Sequence, residues 1–120
     1  MSVSRFDLVT IDSTNTERLA AFWSLALELV ELEREDGDRW IVIGETSGFR
    51  RLGFQRSERV RDTGALHLDL VCDVADFDAE VQRFIVAGAT LVAPTRVEPY
   101  GSIANLTDPD GNSFDLCCYR

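Results

Sequence analysis

A pattern of secondary structure that occurs twice constrains this chain of 120 residues more than any other feature. We predict eight strands, several of them from alternating apolar and polar residues: 5–11, 29–33, 40–43, 49–55, 66–71, 91–92, 102–106 and 113–119. After the first strand of each half, apolar residues recur at helical spacing: Leu19, Phe22, Trp23 and Ala26, then Phe77, Val81, Phe84 and Ile85. The repeated order of strand, helix and three strands predicts two similar βαβββ modules.

The two halves match at a spacing of 62 residues, counted from Arg5 to His67 and from Gly53 to Asp115. Asp7 and Asp69 also match at this spacing. The segment between the halves is polar and charged without periodicity, which is typical of a linker. We therefore predict one domain over 1–120, with module one at 3–56, a linker at 57–64 and module two at 65–120.

The end of the chain contains the most specific local pattern, DPDGN followed by a strand. Proline fixes φ, Asp and Asn fold back onto backbone N–H groups, and Gly tolerates a positive φ, so the segment predicts a tight turn. In the strand that follows, Phe114 and Leu116 share one face and Asp115 points to the other. A carboxylate there is either solvated or directed into a polar cavity.

Composition excludes several classes of function. The net charge of −9 argues against nucleic acid and anionic membranes as partners, because both need a basic surface. All 12 basic residues are Arg, so lysine chemistry is excluded. Three cysteines without a C-x-x-C pair predict buried thiols, and one histidine leaves little scope for a hydrolase triad. With no membrane span or signal pattern in the sequence, we predict a cytoplasmic protein.

Four segments stand out: LAAFW in the first helix, HLDLVCD at the start of the second half, AGATLV after the second helix and TDPDGNSFDL at the end. Together they resemble the vicinal oxygen chelate superfamily of glyoxalase I, bleomycin resistance proteins and extradiol dioxygenases. The resemblance covers nearly the whole chain. It implies a single glyoxalase-like domain with an α+β fold, in which two βαβββ modules form curved sheets around a central cavity that usually holds a divalent metal.

The resemblance also implies where metal ligands would lie. The two positions in module two fall on His67 and on Asp115, where the family usually has Glu, whereas those in module one fall on Arg5 and Gly53. Arginine does not ligate a cation and glycine offers no side chain, so the set is incomplete by comparison with sites that supply three protein ligands. A partner chain or Gln55, Asp7 or Asp69 could complete it. We therefore expect no tightly bound cofactor, with a divalent metal as the alternative.

A cavity without metal is the other interpretation of the same residues. Arg5 opposite His67 and Asp115 would place a positive charge where the metal belongs and would pair with the carboxylate. The candidate ligand-binding residues are Arg5, Asp7, Gln55, His67, Asp69, Tyr100 and Asp115, and Trp40 is a further wall candidate. A purely structural polar network is the alternative for this set.

Three functions from different classes remain open. The first is binding of a small molecule without a complete metal site, similar to bleomycin resistance proteins. The second is a divalent-metal-dependent lyase or isomerase similar to glyoxalase I, in which a carboxylate moves a proton. The third is a structural or regulatory domain without a ligand. Exposed sheet edges also predict a homodimer.

Overall fold

The two halves of the chain form two separate sheets with the same order of strands, as the predicted repeat requires. The computed structural model describes residues 6–59 and 67–120. The chain divides into two compact units, 1–61 and 62–120. Each unit contains one curved, unclosed sheet with one α-helix, so the predicted α+β fold of two βαβββ modules is confirmed. The single-domain boundaries remain a prediction.

The first unit is a four-stranded sheet with a helix packed on it. Its elements are β1 (Val9–Ser13), α1 (Thr16–Leu27), β2 (Val30–Glu35), β3 (Trp40–Gly44) and β4 (Arg50–Arg56). The strand order is β1-β4-β3-β2, and β1 runs parallel to β4. Helix α1 packs against β3 and β4. The predicted apolar face of α1 is buried, as are Ile41, Ile43, Leu52 and Phe54 of the sheet.

Helix α1 begins at Thr16, one residue later than a cap at Thr14 would place its start. The spacing of Thr14 and Glu17 resembles a capping box, but Asn15 is the N-cap, and its side chain accepts a hydrogen bond from the Arg18 backbone N at 3.1 Å. Asparagine caps at least as well as threonine, which explains the shift. The helix ends at Leu27, and the residue that caps it, Glu28, has a left-handed φ of 54°.

The second unit repeats this arrangement and adds a short strand. Its elements are β5 (His67–Val71), a 3₁₀ turn (Val74–Asp76), α2 (Phe77–Ala87), β6 (Thr90–Leu91), β7 (Arg96–Glu98), β8 (Gly101–Thr107) and β9 (Ser113–Tyr119). The strand order is β5-β9-β8-β6, with β5 parallel to β9 and β7 paired to β8. Phe84 of α2 meets Phe114 of β9 edge to face at 5.6 Å between ring centroids. Within the described residues, no helix has the length and apolar character needed to span a bilayer.

The turn before β9 is the tight turn that the sequence predicts. Asp108 is buried, and its Oδ1 accepts hydrogen bonds from the backbone N of Asp110 and of Asn112, both at 2.9 Å. Gly111 has a φ of 87°, where other residues are strained. The turn sets the antiparallel register of β8 and β9, which pairs Asn105 with Asp115.

Two details of the strands differ from the sequence prediction. Strand β1 continues through Asp12 and Ser13, which we expected to end it, because its parallel partner β4 reaches Arg56. The strand also begins later than predicted, because 6–8 are described and lie outside β1, which starts at Val9; the predicted first residue, 5, lies outside the described residues. Strand β7 was predicted to be loop, because its three residues lie between Pro94 and Pro99 and are too few to show alternation.

Candidate metal and ligand site

Three side chains that can ligate a metal meet on the open face of the second sheet. The parallel register of β5 and β9 pairs Asp69 with Asp115, and His67 lies two residues before Asp69 on the same face. One ligand atom from each of the three lies within 4.8 Å of the others. His67 and Asp69 are exposed and Asp115 is half-buried. We call these three residues the triad.

A chain of hydrogen bonds holds one member of the triad in place. Asn105 of β8 donates from Nδ2 to Oδ1 of Asp115 at 2.7 Å. Arg96 of β7 donates from a guanidinium nitrogen to Oδ1 of Asn105 at 2.9 Å. The guanidinium Nε of Arg96 also lies 3.5 Å from a Glu98 carboxylate oxygen. The Asp115 carboxylate is therefore oriented by Asn105 on the neighbouring strand β8. The other two members of the triad also lie close together, with Nε2 of His67 3.6 Å from Oδ1 of Asp69.

The same sheet face becomes apolar beyond the triad. An open hollow of about 640 Å³ is lined by Asp69, Leu70, Val71, Tyr100, Ile103, Cys117 and Tyr119. We call it the tyrosine hollow, because the rings of Tyr100 and Tyr119 lie 6.0 Å apart at 40°. Asp69 belongs both to the triad and to this hollow.

The thiol in this hollow is a protonated group at neutral pH. Burial raises the pKa of the Cys117 thiol, and a hydrogen bond with Tyr119 opposes this more weakly. At alkaline pH, where the Cys117 thiol ionises, its negative charge raises the pKa of Tyr119. Neither group supplies an anion to the triad, so the negative charge of this face comes from its carboxylates.

The corresponding position in the first unit is filled by an aromatic ring. Gly53 of β4 pairs with Thr10 and Val42, and a Cβ built on Gly53 would lie 2.5 Å from the Trp40 ring. The Trp40 indole donates from Nε1 to a Glu33 carboxylate oxygen at 3.3 Å. The Trp40 ring therefore packs directly over Gly53 and occupies the space where a side chain at that position would lie. Gly53 supplies no metal ligand, as the sequence indicated.

The predicted match between first strands is wrong by three residues. Asp115 pairs with Asp69, whereas its counterpart Gly53 pairs with Thr10, so Thr10 corresponds to Asp69 and Asp7 does not. The spacing of 62 residues holds for the last strands only, because the segment between first strand and helix is longer in the second unit, where it contains the 3₁₀ turn.

The other predicted site residues lie in both units. Arg5 is outside the described residues. Asp7 is exposed, and its carboxylate lies 3.3 Å from the Arg50 guanidinium. Gln55 is exposed in a hollow of the first unit with Trp40. Tyr100 lies in the tyrosine hollow of the second unit. The structure therefore brings together His67, Asp69 and Asp115, with Tyr100 beside them.

Sequence reasoning missed three residues of this face. Asn105 donates to Asp115, Arg96 donates to Asn105, and Tyr119 lines the hollow with Tyr100. Asn105 could have been found by pairing the strands on either side of the DPDGN turn. Arg96 could not, because the strand that carries it was not predicted.

Comparison with known proteins gives the family. The sequence model described as a glyoxalase-like domain matches residues 8–117. The chain belongs to the glyoxalase-like domain family. The resemblance to the vicinal oxygen chelate superfamily is thereby confirmed. Among curated protein sequences, none matches this glyoxalase-like chain.

Solved structures share the fold of this glyoxalase-like chain at low sequence identity. The fosfomycin resistance protein FosX from Mesorhizobium loti is 18% identical with a TM-score of 0.76, covering 100% of this chain and 95% of FosX. A glyoxalase/bleomycin resistance protein/dioxygenase family enzyme from Burkholderia phytofirmans is 22% identical with a TM-score of 0.77, covering 95% and 98%. A FosX mutant from Listeria monocytogenes, complexed with Mn(II) and 1S,2S-dihydroxypropylphosphonic acid, is 15% identical with a TM-score of 0.77, covering 99% and 93%.

Proposed function

We propose that this glyoxalase-like chain binds a small molecule with neighbouring oxygen atoms, through a divalent cation held by His67, Asp69 and Asp115. The observation that carries the proposal is that ligand atoms of all three side chains lie within 4.8 Å of one another. Their separation lets small rotations of exposed side chains bring them around one ion. The net charge of −9 favours the approach of a cation.

The chemistry of the triad fits such an ion. Imidazole and carboxylate ligands suit divalent transition metals, and three protein ligands leave coordination positions for the oxygens of a small molecule. A divalent cation bound there would supply Lewis-acid polarisation of those oxygens. Asn105 acts as the outer partner that such sites use, because its hydrogen bond orients the Asp115 carboxylate.

Asp69 is the reason to propose a cation in place of the incomplete site expected from the sequence. That expectation counted His67 and Asp115 as the two ligands and named Asp69 only among residues that could complete the set. The parallel register places Asp69 directly beside Asp115. Three ligands from one unit make the proposal independent of Arg5, Asp7 and Gln55. A lyase or isomerase activity would need a further group that moves a proton.

Binding of the small molecule without a cation is the second candidate, and one observation favours it. The Asp115 carboxylate already accepts a hydrogen bond from Asn105, which is itself bonded to Arg96, so Asp115 has a partner without any ion. In this mode, the remaining oxygens of Asp69 and Asp115 and the imidazole of His67 would hydrogen-bond the ligand directly.

Calorimetric titration with Mn(II) tests the proposal, since Mn(II) is the ion present in the Listeria FosX complex. We expect one saturable site in the wild type. His67→Ala, Asp69→Asn and Asp115→Asn should each weaken binding by more than the roughly 10- to 100-fold that loss of an outer partner costs. Asn105→Ala should fall within that range.

Asp73→Asn is the matched control, because it removes one exposed carboxylate of the second unit outside the triad. The control should bind Mn(II) as the wild type does. Equal weakening in Asp73→Asn and Asp69→Asn would show a diffuse attraction to acidic side chains and would reject the triad as a site. Absence of Mn(II) binding to the wild type would reject the cation and leave the second candidate.

A further inference from the structure

The open face of the second sheet has a polar end and an apolar end, and the boundary crosses three strands at one level. On β9 it falls between Asp115 and Cys117, and on β5 between Asp69 and Val71. On β8, Asn105 lies on the polar side and Ile103, which pairs with Cys117, lies on the apolar side. A ligand held at the triad would therefore extend over apolar side chains in one direction along the strands.

We propose that the tyrosine hollow takes an uncharged aromatic group attached directly to the oxygen-bearing part of the ligand. The inference rests on the proposed function, because it assigns the oxygens to the triad and the ring to the hollow. The ligand class is then an aryl-substituted compound with vicinal oxygens, such as an aryl α-hydroxy acid.

The lining of the hollow favours such a group over other occupants. Tyr100 and Tyr119 are 47% and 61% exposed, and Val71 is 68% exposed, so a ligand ring can reach all three side chains. Aromatic rings pair favourably in tilted arrangements with centroids several ångströms apart. The volume of about 640 Å³ lies in the range of small-molecule sites and exceeds what a methyl group needs.

Charge also selects the group. Asp69 is the acidic side chain at the edge of the hollow, and the lining residues that the structure describes include no Arg. A negatively charged tail would be repelled by the carboxylate without compensation. An amine would compete with the cation for the triad. An uncharged ring meets neither difficulty, and the phenolic hydroxyls tolerate a polar substituent on it.

The backbone around Tyr100 keeps the two rings together. Gly101 pairs with Tyr119, and a Cβ built on Gly101 would lie 1.8 Å from the Cys118 carbonyl oxygen, so the strands approach closely at this point. The Arg120 backbone N donates to the Tyr100 carbonyl oxygen at 2.8 Å. Tyr100 lies in the turn immediately before β8, and its backbone is held against the end of β9 by this bond and by the pairing of Gly101.

Mandelate and lactate form the matched pair of probes, because both present an α-hydroxyl and a carboxylate and they differ in phenyl against methyl. Titrated into the Mn(II)-loaded full chain, mandelate should bind about tenfold more tightly than lactate. Tyr100→Ala and Tyr119→Ala should reduce this ratio toward one while leaving the Kd of lactate unchanged. Tyr119→Phe should keep the ratio, since the ring remains.

Phe49→Ala is the control variant, because Phe49 is an aromatic of the first unit with the same 61% exposure as Tyr119. It should leave both affinities unchanged. Light scattering on Tyr119→Ala should give the oligomeric state of the wild type. A loss of association in Tyr119→Ala together with an unchanged mandelate-to-lactate ratio would assign the hollow to a protein interface and overturn the inference.

The remaining outcomes separate this inference from the proposed function. Equal affinities for mandelate and lactate with Mn(II) bound overturn the inference and leave the proposed function intact. If Mn(II) does not bind, the cation proposal fails, and titration of the metal-free protein decides the inference. Binding of mandelate that Tyr119→Ala abolishes supports the hollow, and absence of mandelate binding overturns it.

Discussion

Asp108 should be one of the most sensitive polar positions in this chain, because a single carboxylate closes the turn before β9. It is only 3% exposed. Its Oδ1 accepts from two backbone N–H groups at 2.9 Å, and its Oδ2 accepts from Nδ2 of Asn112 at 2.9 Å. Replacement by alanine removes all of these acceptors.

The cost follows from the groups that lose their partner. A buried N–H without a partner costs about 1–3 kcal/mol. Two such groups would cost about 2–6 kcal/mol if both were fully buried. Because both hydrogen bonds are only part-buried, water can reach the freed N–H groups, and we expect Asp108→Ala to lower the free energy of unfolding by about 2–4 kcal/mol. Asp108→Asn keeps an oxygen at the Oδ1 position and should cost about 1 kcal/mol.

Urea unfolding followed by circular dichroism measures both variants. We expect the midpoint of Asp108→Ala to fall well below that of Asp108→Asn, with similar slopes for the two proteins. A change for Asp108→Ala within about 0.5 kcal/mol of the wild type, the usual range of an uninvolved surface position, would refute the assignment of the turn to this carboxylate.

Three other expectations concern packing, pH and association. Gly101→Ala should lower the free energy of unfolding by about 3 kcal/mol or more, because the new Cβ would lie 1.8 Å from the Cys118 carbonyl oxygen. If the variant unfolds at the same urea concentration as the wild type, this close approach is contradicted. The hydrogen bond from Arg83 lowers the pKa of Glu80 below its ordinary 4.5. The wild type should therefore be more stable than Glu80→Gln above pH 4.5, and this difference in the free energy of unfolding should disappear as the pH falls through the lowered pKa. A stability difference that grows in acid would contradict this assignment. Light scattering at micromolar concentration should report a homodimer, and a monomer would reject the pairing expected from exposed sheet edges.

The repeat of secondary structure was predictable because its apolar spacing is strong in both halves. Helix positions such as Trp23 and Phe84 and strand positions such as Phe114 are buried as their periodicity requires. The turn before β9 was predictable for a different reason, since Pro, Asp, Asn and Gly each restrict the backbone locally. Both signals are contained in short segments of the chain.

The site was only partly predictable because it depends on register between strands distant in sequence. The alternation in β5 places His67 and Asp69 on one face, but only the pairing with β9 shows that Asp69 lies beside Asp115. The packing of Trp40 over Gly53 likewise follows from antiparallel pairing. A constant spacing between repeats cannot supply this information, because connections of unequal length shift one strand relative to another.

The coordination of Mn(II) by His67 is the most direct test of the proposed site. The chain contains one histidine, so with any purification tag removed, imidazole nitrogen coupling to bound Mn(II) in a pulsed EPR spectrum can come only from His67. We expect this coupling in the Mn(II)-loaded wild type and its loss in His67→Ala. Stoichiometric Mn(II) binding without nitrogen coupling in the wild type would contradict the triad as the cation site.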